Sequence, residues 1–311
     1  MRVHIHANCQ ATPLAGMLKE VHPEWDISYF EAHTADIIER IDEHYAGVRT
    51  SDLVLTQPIH RGYRDRTDLS IDWVRQNARK DATLLVFPSM HFTGHHPELD
   101  SLPISGIPFL SSLLAAHLIA AGQTPTEALR YMLSDELLRA SDIEAEISIS
   151  LDEMRRREIE DRIDILITPF IEEHCRTKAL FHIQNHPFRE PMAFVANQIL
   201  ERIGCTARVP VAGRDYQASP HVPPLPAIAR YLRANRGGPA EAELTEMVLI
   251  PGYQPMTQAD YYGRMLEGLA RHKPDEIFQV IKNRWPTVQM LRRLAAQGSA
   301  LPGTARWVEV R

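Results

Sequence analysis

The chain has 311 residues, 44% hydrophobic, 24% charged and 7% aromatic, a composition that fits an ordinary globular protein of one large domain or two smaller ones. Its formal charge of −6 excludes a general nucleic-acid binder, so any anionic ligand has to be met by a local basic cluster. Cys9, Cys175 and Cys205 are too few and too scattered for a disulfide framework and form no Cys-x-x-Cys pair, which points to a reducing, cytoplasmic compartment.

The run Val3 to Ala7 reads as a strand. The start of the chain lacks the apolar core of a secretory signal, because His4, His6 and Asn8 interrupt its apolar residues. The longest apolar stretch, Ile107 to Ala121, contains Pro108, Ser111, Ser112 and His117 and is too short to span a bilayer. The first strand ends in Asn8-Cys9-Gln10 and meets Thr12-Pro13. Thr12 suits an N-cap and Pro13 a first helical position, which places Cys9 just outside a helix start whose N–H groups and dipole favour a thiolate. A small buried hydrophobe at a strand end fits the same pattern equally well.

A helix follows from Pro13 to Val21, a strand from Asp26 to Phe30, a helix from Ala35 to His44, and strands at Asp52 to Thr56 and Ala82 to Pro88. Strands alternating with helices predict βαβ units and a parallel sheet, with ligands outside the carboxyl ends of the strands. Asn8-Cys9-Gln10, Gln57-Pro58 and Ser89-Met90-His91 each follow such a strand and are expected to meet on one edge.

The middle of the chain is helical: Phe109 to Ala121, then a capping box with proline at Thr124-Pro125-Thr126-Glu127. A second box at Ser150-Leu151-Asp152-Glu153 begins a charged helix toward Cys175, in which Arg155-Arg156-Arg157 spread around the cylinder as a solvated face. Lys178 to Ile183 reads as a returning strand, followed by Gln184-Asn185-His186-Pro187 and a helix from Pro191 to Ile203 that stops at Gly204. Residues Val209 to Pro226 form a proline-rich extended linker. Helices follow at Ala227 to Ala234, Gln258 to His272 and Asp275 to Gln297, where Pro286 kinks or ends one of them. The expected organisation is an α/β subdomain with the Cys9 turn over 1–105, a helical insertion over 106–177, a strand and helix completing the α/β part over 178–208, and a mostly helical region over 209–311.

His186 stands at a strand end beside Pro187 and carries an imidazole that titrates near neutrality. If its strand lies beside the first, His186 and Cys9 form a thiol and imidazole pair, the parts of an activated nucleophile. A histidine in a surface turn fits the residue equally. His4 and His6 share one strand face, and His91, His95 and His96 with Glu98 or Asp100 are further donors, but their spacing matches no closed zinc motif. No metal is expected, and Met90 to Pro97 reads as a pocket wall or lid. Gln57 to Arg66 joins a strand end to Arg61, Gly62, Tyr63, Arg64 and Arg66. That segment is either a phosphate cradle or a solvated loop paired with Asp65 and Asp68. Neither a dinucleotide fingerprint nor a P-loop accompanies it.

Four motifs, in this order and spacing, resemble the WcbI-type capsular polysaccharide biosynthesis proteins. They are Asn8-Cys9-Gln10 after the opening strand, Gln57-Pro58 after a later one, Phe87-Pro88 with the Phe92 to Pro97 loop, and His186-Pro187 before a helix. The resemblance implies an α/β fold whose parallel-sheet, SGNH-like or Rossmann-like N-terminal subdomain is embedded in a largely helical cradle. It implies a coenzyme A-binding acetyltransferase that moves acetyl from acetyl-CoA to a sugar hydroxyl of a bacterial capsule. Its partners are acetyl-CoA and a sugar or polysaccharide acceptor, with other capsule biosynthesis proteins as a further class. On that reading Cys9 and His186 are catalytic, Asn8 and Gln10 position the thioester or oxyanion, and Gln57, Arg61, Tyr63, Arg64, Arg66, Ser89 and His91 bind the cofactor. The motif order also resembles SGNH-type esterases with Cys9 at the nucleophile position. Ile183 stands where their aspartate would precede His186, so a dyad is expected. An esterase using Cys9 and His186 and a noncatalytic coenzyme A-binding partner are the alternatives.

Overall fold

The computed structural model describes residues 1–235, 247–296, 298 and 301–307. In chain order its first elements are β1 (Arg2–Ala7), α1 (Ala11–Val21), β2 (Asp26–Glu31), α2 (Ile41–Thr50), β3 (Leu53–Thr56), α3 (Ile71–Asn77) and β4 (Thr83–Val86). Then come β5 (Leu99–Asp100), β6 (Ser111–Ser112), α4 (Leu113–Ala120), α5 (Pro125–Met132), α6 (Ala140–Glu160), α7 (Thr168–His174), β7 (Phe181–Ile183), β8 (His186–Pro187) and α8 (Arg189–Arg202). The last are α9 (Pro226–Asn235), β9 (Met247–Val248), β10 (Met256–Thr257), α10 (Gln258–Leu269), α11 (Pro274–Lys282) and α12 (Trp285–Ala296). The chain divides into two compact units, one formed by Met1–His91, Leu151–Glu173 and Asn185–Ala218, the other by Phe92–Ser150, His174–Gln184 and Ser219–Arg311. The fold class is α/β with a parallel sheet, as the alternation of strands and helices predicts.

The first unit holds a four-stranded parallel sheet in the order β2-β1-β3-β4. β1 is central and buried from Val3 to Ala7, so it reads as a continuous core strand with two histidines in it. Val3 and Ile5 face one side and His4 and His6 the other. His4 and His6 meet His44 of α2: His4 Nε2 lies 3.2 Å from His44 Nδ1, and the His6 ring centroid is 4.3 Å from that of His44. Ser28 Oγ holds His4 Nδ1 at 2.9 Å and Thr56 Oγ1 holds His6 Nδ1 at 3.3 Å. These two histidines are therefore core residues, and a Cβ on Gly47 of α2 would stand 2.2 Å from His4 Nδ1, which leaves room only for glycine. Val48, Val54 and Val74 close the core between α2, the sheet and α3.

Several element boundaries differ from expectation. α1 begins at Ala11 with Gln10 at the N-cap, and Thr12 lies inside the first turn, where its hydroxyl donates to Glu31 at 2.7 Å. The helix expected over Ala35 to His44 is a 3-10 turn, Ala35–Ile37, followed by α2 from Ile41. Ser150 caps nothing: α6 begins ten residues earlier, where Asp142 accepts from the Arg139 N–H at 2.9 Å. The charged segment then breaks before α7 instead of running to Cys175. Its arginines do form a solvated, ion-paired face with Asp152, Glu153, Glu160 and Glu172. α8 ends where expected, at Gly204 with φ +73°.

In the second unit α4 is buried along its whole length and packs against α5, α10 and α11. The Thr124 and Glu127 capping box is present, and a second one, Thr257 with Asp260, opens α10. The helix expected over Asp275 to Gln297 is two, α11 and α12, and Pro286 sits in the first turn of α12, where a missing N–H leaves no intrahelical bond unmade. Gln297 lies outside the described residues. The Phe92 to Pro97 loop is an interior element, not a lid: the Phe92 N–H donates to the Gln184 carbonyl at 2.8 Å, and His95 and His96 are buried against the carbonyls of Cys175 and Phe181. Among the described residues no helix is long and apolar enough to cross a membrane, and no group of three or more His, Cys, Asp or Glu is arranged to hold a metal ion.

Candidate active site

The strand order reverses between β1 and β3, and on an open parallel sheet such a reversal leaves a crevice beyond the carboxyl ends. Asn8-Cys9-Gln10, Gln57 and Ser89-Met90 meet there, held by two interlocked glutamines. Gln57 Oε1 accepts from the Asn8 N–H at 2.9 Å, and Gln57 Nε2 donates to Gln10 Oε1 at 2.9 Å and to the Pro88 carbonyl at 3.3 Å. Gln10 Oε1 also accepts from the Met90 N–H at 3.1 Å, while Gln10 Nε2 donates to the carbonyls of Met90 at 2.7 Å and Asn185 at 2.9 Å. Both side chains are buried. Their two amides thus fasten three strand ends and the segment carrying His186. Gln57→Leu is expected to lower stability by about 2–4 kcal/mol, read from the urea midpoint, because it takes the partner from the Asn8 N–H and the donor from the Pro88 carbonyl, and leaves Gln10 Oε1 with only the Met90 N–H.

The joined segments place Cys9 Sγ 3.5 Å from His186 Nε2, 177 residues apart in sequence. The thiol is half-buried, and its pKa is pushed up to about 11 by burial and then by the Glu31 carboxylate, with its own N–H and the Gln217 amide acting in the opposite direction. This corrects the expectation of a thiolate favoured by the helix start. The first N–H groups of α1 are spent on Asn8: Gln10 N–H donates to Asn8 Oδ1 at 2.9 Å and Ala11 N–H to the Asn8 carbonyl at 3.0 Å. The dyad is a neutral thiol facing an imidazole.

The same bonds revise two expected roles. The Gln10 N–H is taken by Asn8, and the Gln57 side chain faces inward, so both build the turn and neither is presented to a ligand. Asn8 Nδ2 donates to Ser89 Oγ at 3.0 Å, which keeps the amide donor and Ser89 together beside the dyad. Ser89 and His91 line a small crevice of about 30 Å³, with Pro58, Met154, Arg157 and Asp161 around it. The pKa of His91 is pushed down to about 4, first by burial and then by the Arg157 guanidinium.

In the expected phosphate segment, Gly62, Arg64 and Asp65 have φ of +87°, +54° and +58°, a left-handed stretch that turns Arg61 and Tyr63 outward. Arg61 is exposed and only loosely paired, 4.0 Å from Asp72, and Tyr63 is exposed. Arg66 is instead committed to Asp68, with Nε donating at 2.9 Å and a second, shorter bond beside it, and Arg64 bonds the Thr34 carbonyl. Arg61 keeps its guanidinium open to a phosphate, and the exposed Arg64 commits only Nη1, to the Thr34 carbonyl; the expectation for Arg66 is corrected by its carboxylate partner.

The sequence model of the family described as polysaccharide biosynthesis enzyme WcbI matches residues 2–208. The chain belongs to the WcbI family. The fold agrees with a solved structure of WcbI, described as a novel polysaccharide biosynthesis enzyme in its native form without a disulfide bond between coenzyme A and a cysteine. The two superpose with a TM-score of 0.76 over 93% of this chain and 97% of that one, at 23% identity, which shows the fold. No curated protein matches the chain.

One site residue of this WcbI-family chain lies beyond the matched segment and inside the expected linker. Gln217 is buried, and its Nε2 donates to the Cys9 carbonyl at 3.3 Å. A carbonyl only accepts, so the amide nitrogen has to face Cys9, and Oε1 is left buried without a hydrogen-bond partner. Arg189 of α8 brings Gln217 there: it pairs with Glu20 of α1, donates to the carbonyls of Pro210 at 3.1 Å and Arg214 at 2.6 Å, and fills the space where a side chain on Gly213 would go. Residues 209–218 are thus a clamped part of the site. Nothing local in the sequence marks Arg189 as buried or pairs it with Gly213, so the clamp is visible only in the tertiary bonds.

Proposed function

We propose that this chain is an O-acetyltransferase of capsular polysaccharide biosynthesis, working in the cytoplasm, which moves acetyl from acetyl-CoA to a sugar hydroxyl. The observation that carries the reading is Cys9 Sγ facing His186 Nε2 at 3.5 Å at the switch point of a parallel sheet, on a WcbI-family chain. Coenzyme A chemistry enters through the solved WcbI structure, which is described as the native protein without a disulfide bond between coenzyme A and a cysteine.

We assign such a co-substrate its partners by residue type. Arg61 and Tyr63 offer a phosphate and a ring partner, Ser89 and His91 line the neighbouring crevice, and the orphan Gln217 Oε1 offers an acceptor for an amide N–H. Because the thiol is neutral, chemistry at Cys9 depends on proton removal by His186. Cys9 Sγ attacks the thioester carbonyl as His186 takes its proton, the C–S bond to coenzyme A breaks, and the departing thiolate takes that proton from His186 and leaves as the free thiol. Neutral His186 then accepts the proton of the sugar hydroxyl as its oxygen attacks the acetyl-cysteine, and returns it to the departing Cys9 sulfur. The Cys9 N–H and the Asn8 amide supply the oxyanion donors, each worth roughly 3 kcal/mol in comparable sites.

The test is acetyl-CoA turnover with capsule sugars as acceptors, together with calorimetry of coenzyme A binding. Transfer to sugar supports the proposal. Acetyl release to water with no sugar product points to the esterase, and binding without turnover to a noncatalytic partner. Gln217→Leu is expected to lower kcat/KM about tenfold to hundredfold with an unchanged melting temperature, because it removes one polar contact beside the reacting sulfur.

A further inference from the structure

A second cysteine and histidine pair lies in the same unit, where the ends of α1 and α8 meet. Cys205 Sγ is 2.9 Å from His22 Nε2, and His22 Nδ1 is 2.9 Å from Glu24 Oε1. An ionised carboxylate only accepts, so Glu24 fixes the hydrogen on Nδ1 and leaves the Nε2 lone pair facing the thiol. The imidazole is also held by its face, stacked on Trp25 at a centroid distance of 4.0 Å and an interplanar angle of 5°. The cysteine backbone is equally fixed. Gly204 takes the left-handed position after α8, the Cys205 N–H returns to the Leu200 carbonyl at 2.8 Å, and Arg208 donates to the Cys205 carbonyl at 2.8 Å. Cys205 is half-buried, so small reagents reach its sulfur, whereas Cys175 is fully buried.

We propose that Cys205 is a second reactive thiol, a modification site that His22 and Glu24 prime for exchange with low-molecular-weight disulfides. Nucleophile, base and the group that orients the base stand in the order a thiol exchange site requires. In the step, Cys205 Sγ attacks one sulfur of a disulfide R–S–S–R. The R–S–S–R bond breaks as the Cys205 S–S–R bond forms. The thiol proton passes to His22 Nε2 and on to the departing sulfur, which leaves as RSH. The disulfide is the oxidant, and no further reactant is needed. The proposal is independent of what Cys9 does, but it changes how labelling of the intact chain reads, because two base-paired thiols compete for the same reagent.

The test uses the full chain and oxidised glutathione as the probe, with the rate at each cysteine followed by peptide mass mapping. Cys205 is expected to be modified about tenfold or more faster than in His22→Phe, a change that keeps the stack on Trp25, while the rate at Cys9 stays the same in both proteins. Glu24→Ala, on an exposed side chain, is expected to slow Cys205 several-fold and serves if His22→Phe does not fold. Equal Cys205 rates in the wild type and in either folded variant overturn the proposal, as does a wild-type rate no higher than that of the urea-unfolded chain.

Discussion

His186→Gln is expected to lower acetyl transfer by about 10²- to 10⁴-fold with coenzyme A affinity changed by no more than a few-fold. The size follows from the state of Cys9. A thiol with its pKa pushed up to about 11 has almost no thiolate at neutral pH, so a nucleophilic sulfur depends on an acceptor for its proton, and Nε2 of His186 stands 3.5 Å away. The companion variant Cys9→Ala separates two routes. With an acetyl-cysteine intermediate, Cys9→Ala loses turnover as fully as His186→Gln, and acetyl is trapped on the Cys9 peptide of the wild type when acceptor is withheld. With direct attack by a sugar hydroxyl activated at His186, Cys9→Ala retains turnover and only the histidine variant fails. Rapid-quench mass spectrometry with acetyl-CoA reads both. Full activity in His186→Gln would remove His186 from the chemistry altogether.

The sequence made the sheet legible because β1, β3 and β4 are short apolar runs separated by helical periodicity, and the carboxyl-end rule then brings Cys9, Gln57 and Ser89 together. It also made α5 legible through Thr124, Pro125 and Glu127, a capping pattern that acts locally. Long-range polar bonds were not legible. No local pattern shows that Gln10 and Gln57 interlock or that Arg189 clamps residues 209–218 so that Gln217 reaches Cys9, whereas the Arg66 and Asp68 pair is local and was one of two readings open for its loop. Ser150 misled for the opposite reason. Its capping pattern is real as a string, but ten preceding residues already satisfy helical spacing, and its hydroxyl accepts from the Thr93 N–H at 2.9 Å. Local signals thus located the site, while the assignment of each polar side chain to ligand or to scaffold required the tertiary bonds.

Stability is expected to fall steeply as the pH drops below about 6.5, by roughly 5 kcal/mol or more within one pH unit. Seven histidines carry the effect. Burial first, and then mutual repulsion or a nearby cation for several of them, pushes His4 and His96 down to about 3 and His44, His91, His95 and His117 down to about 4. His6 is lowered as well. In the unfolded chain these groups take up protons near pH 6.5, whereas the folded chain keeps them neutral until pH 3–4. The unfolded state therefore binds more protons throughout that window, and each histidine removes about 1.4 kcal/mol per pH unit as the pH falls. Glu98 acts with the opposite sign: burial pushes it up to about 8, so its contribution weakens stability as the pH rises from the ordinary carboxylate range to pH 8. One carboxyl against seven imidazoles leaves the histidines dominant until slightly above pH 7 and Glu98 beyond it, which places maximum stability near neutrality. Urea midpoints from pH 5 to 8 measure the curve. His44→Phe, which keeps the ring stack with Phe30 and Trp73, is expected to reduce the acid slope by about one proton's worth. A midpoint that stays level between pH 7 and pH 5 would mean that these imidazoles are charged and solvated in the folded chain.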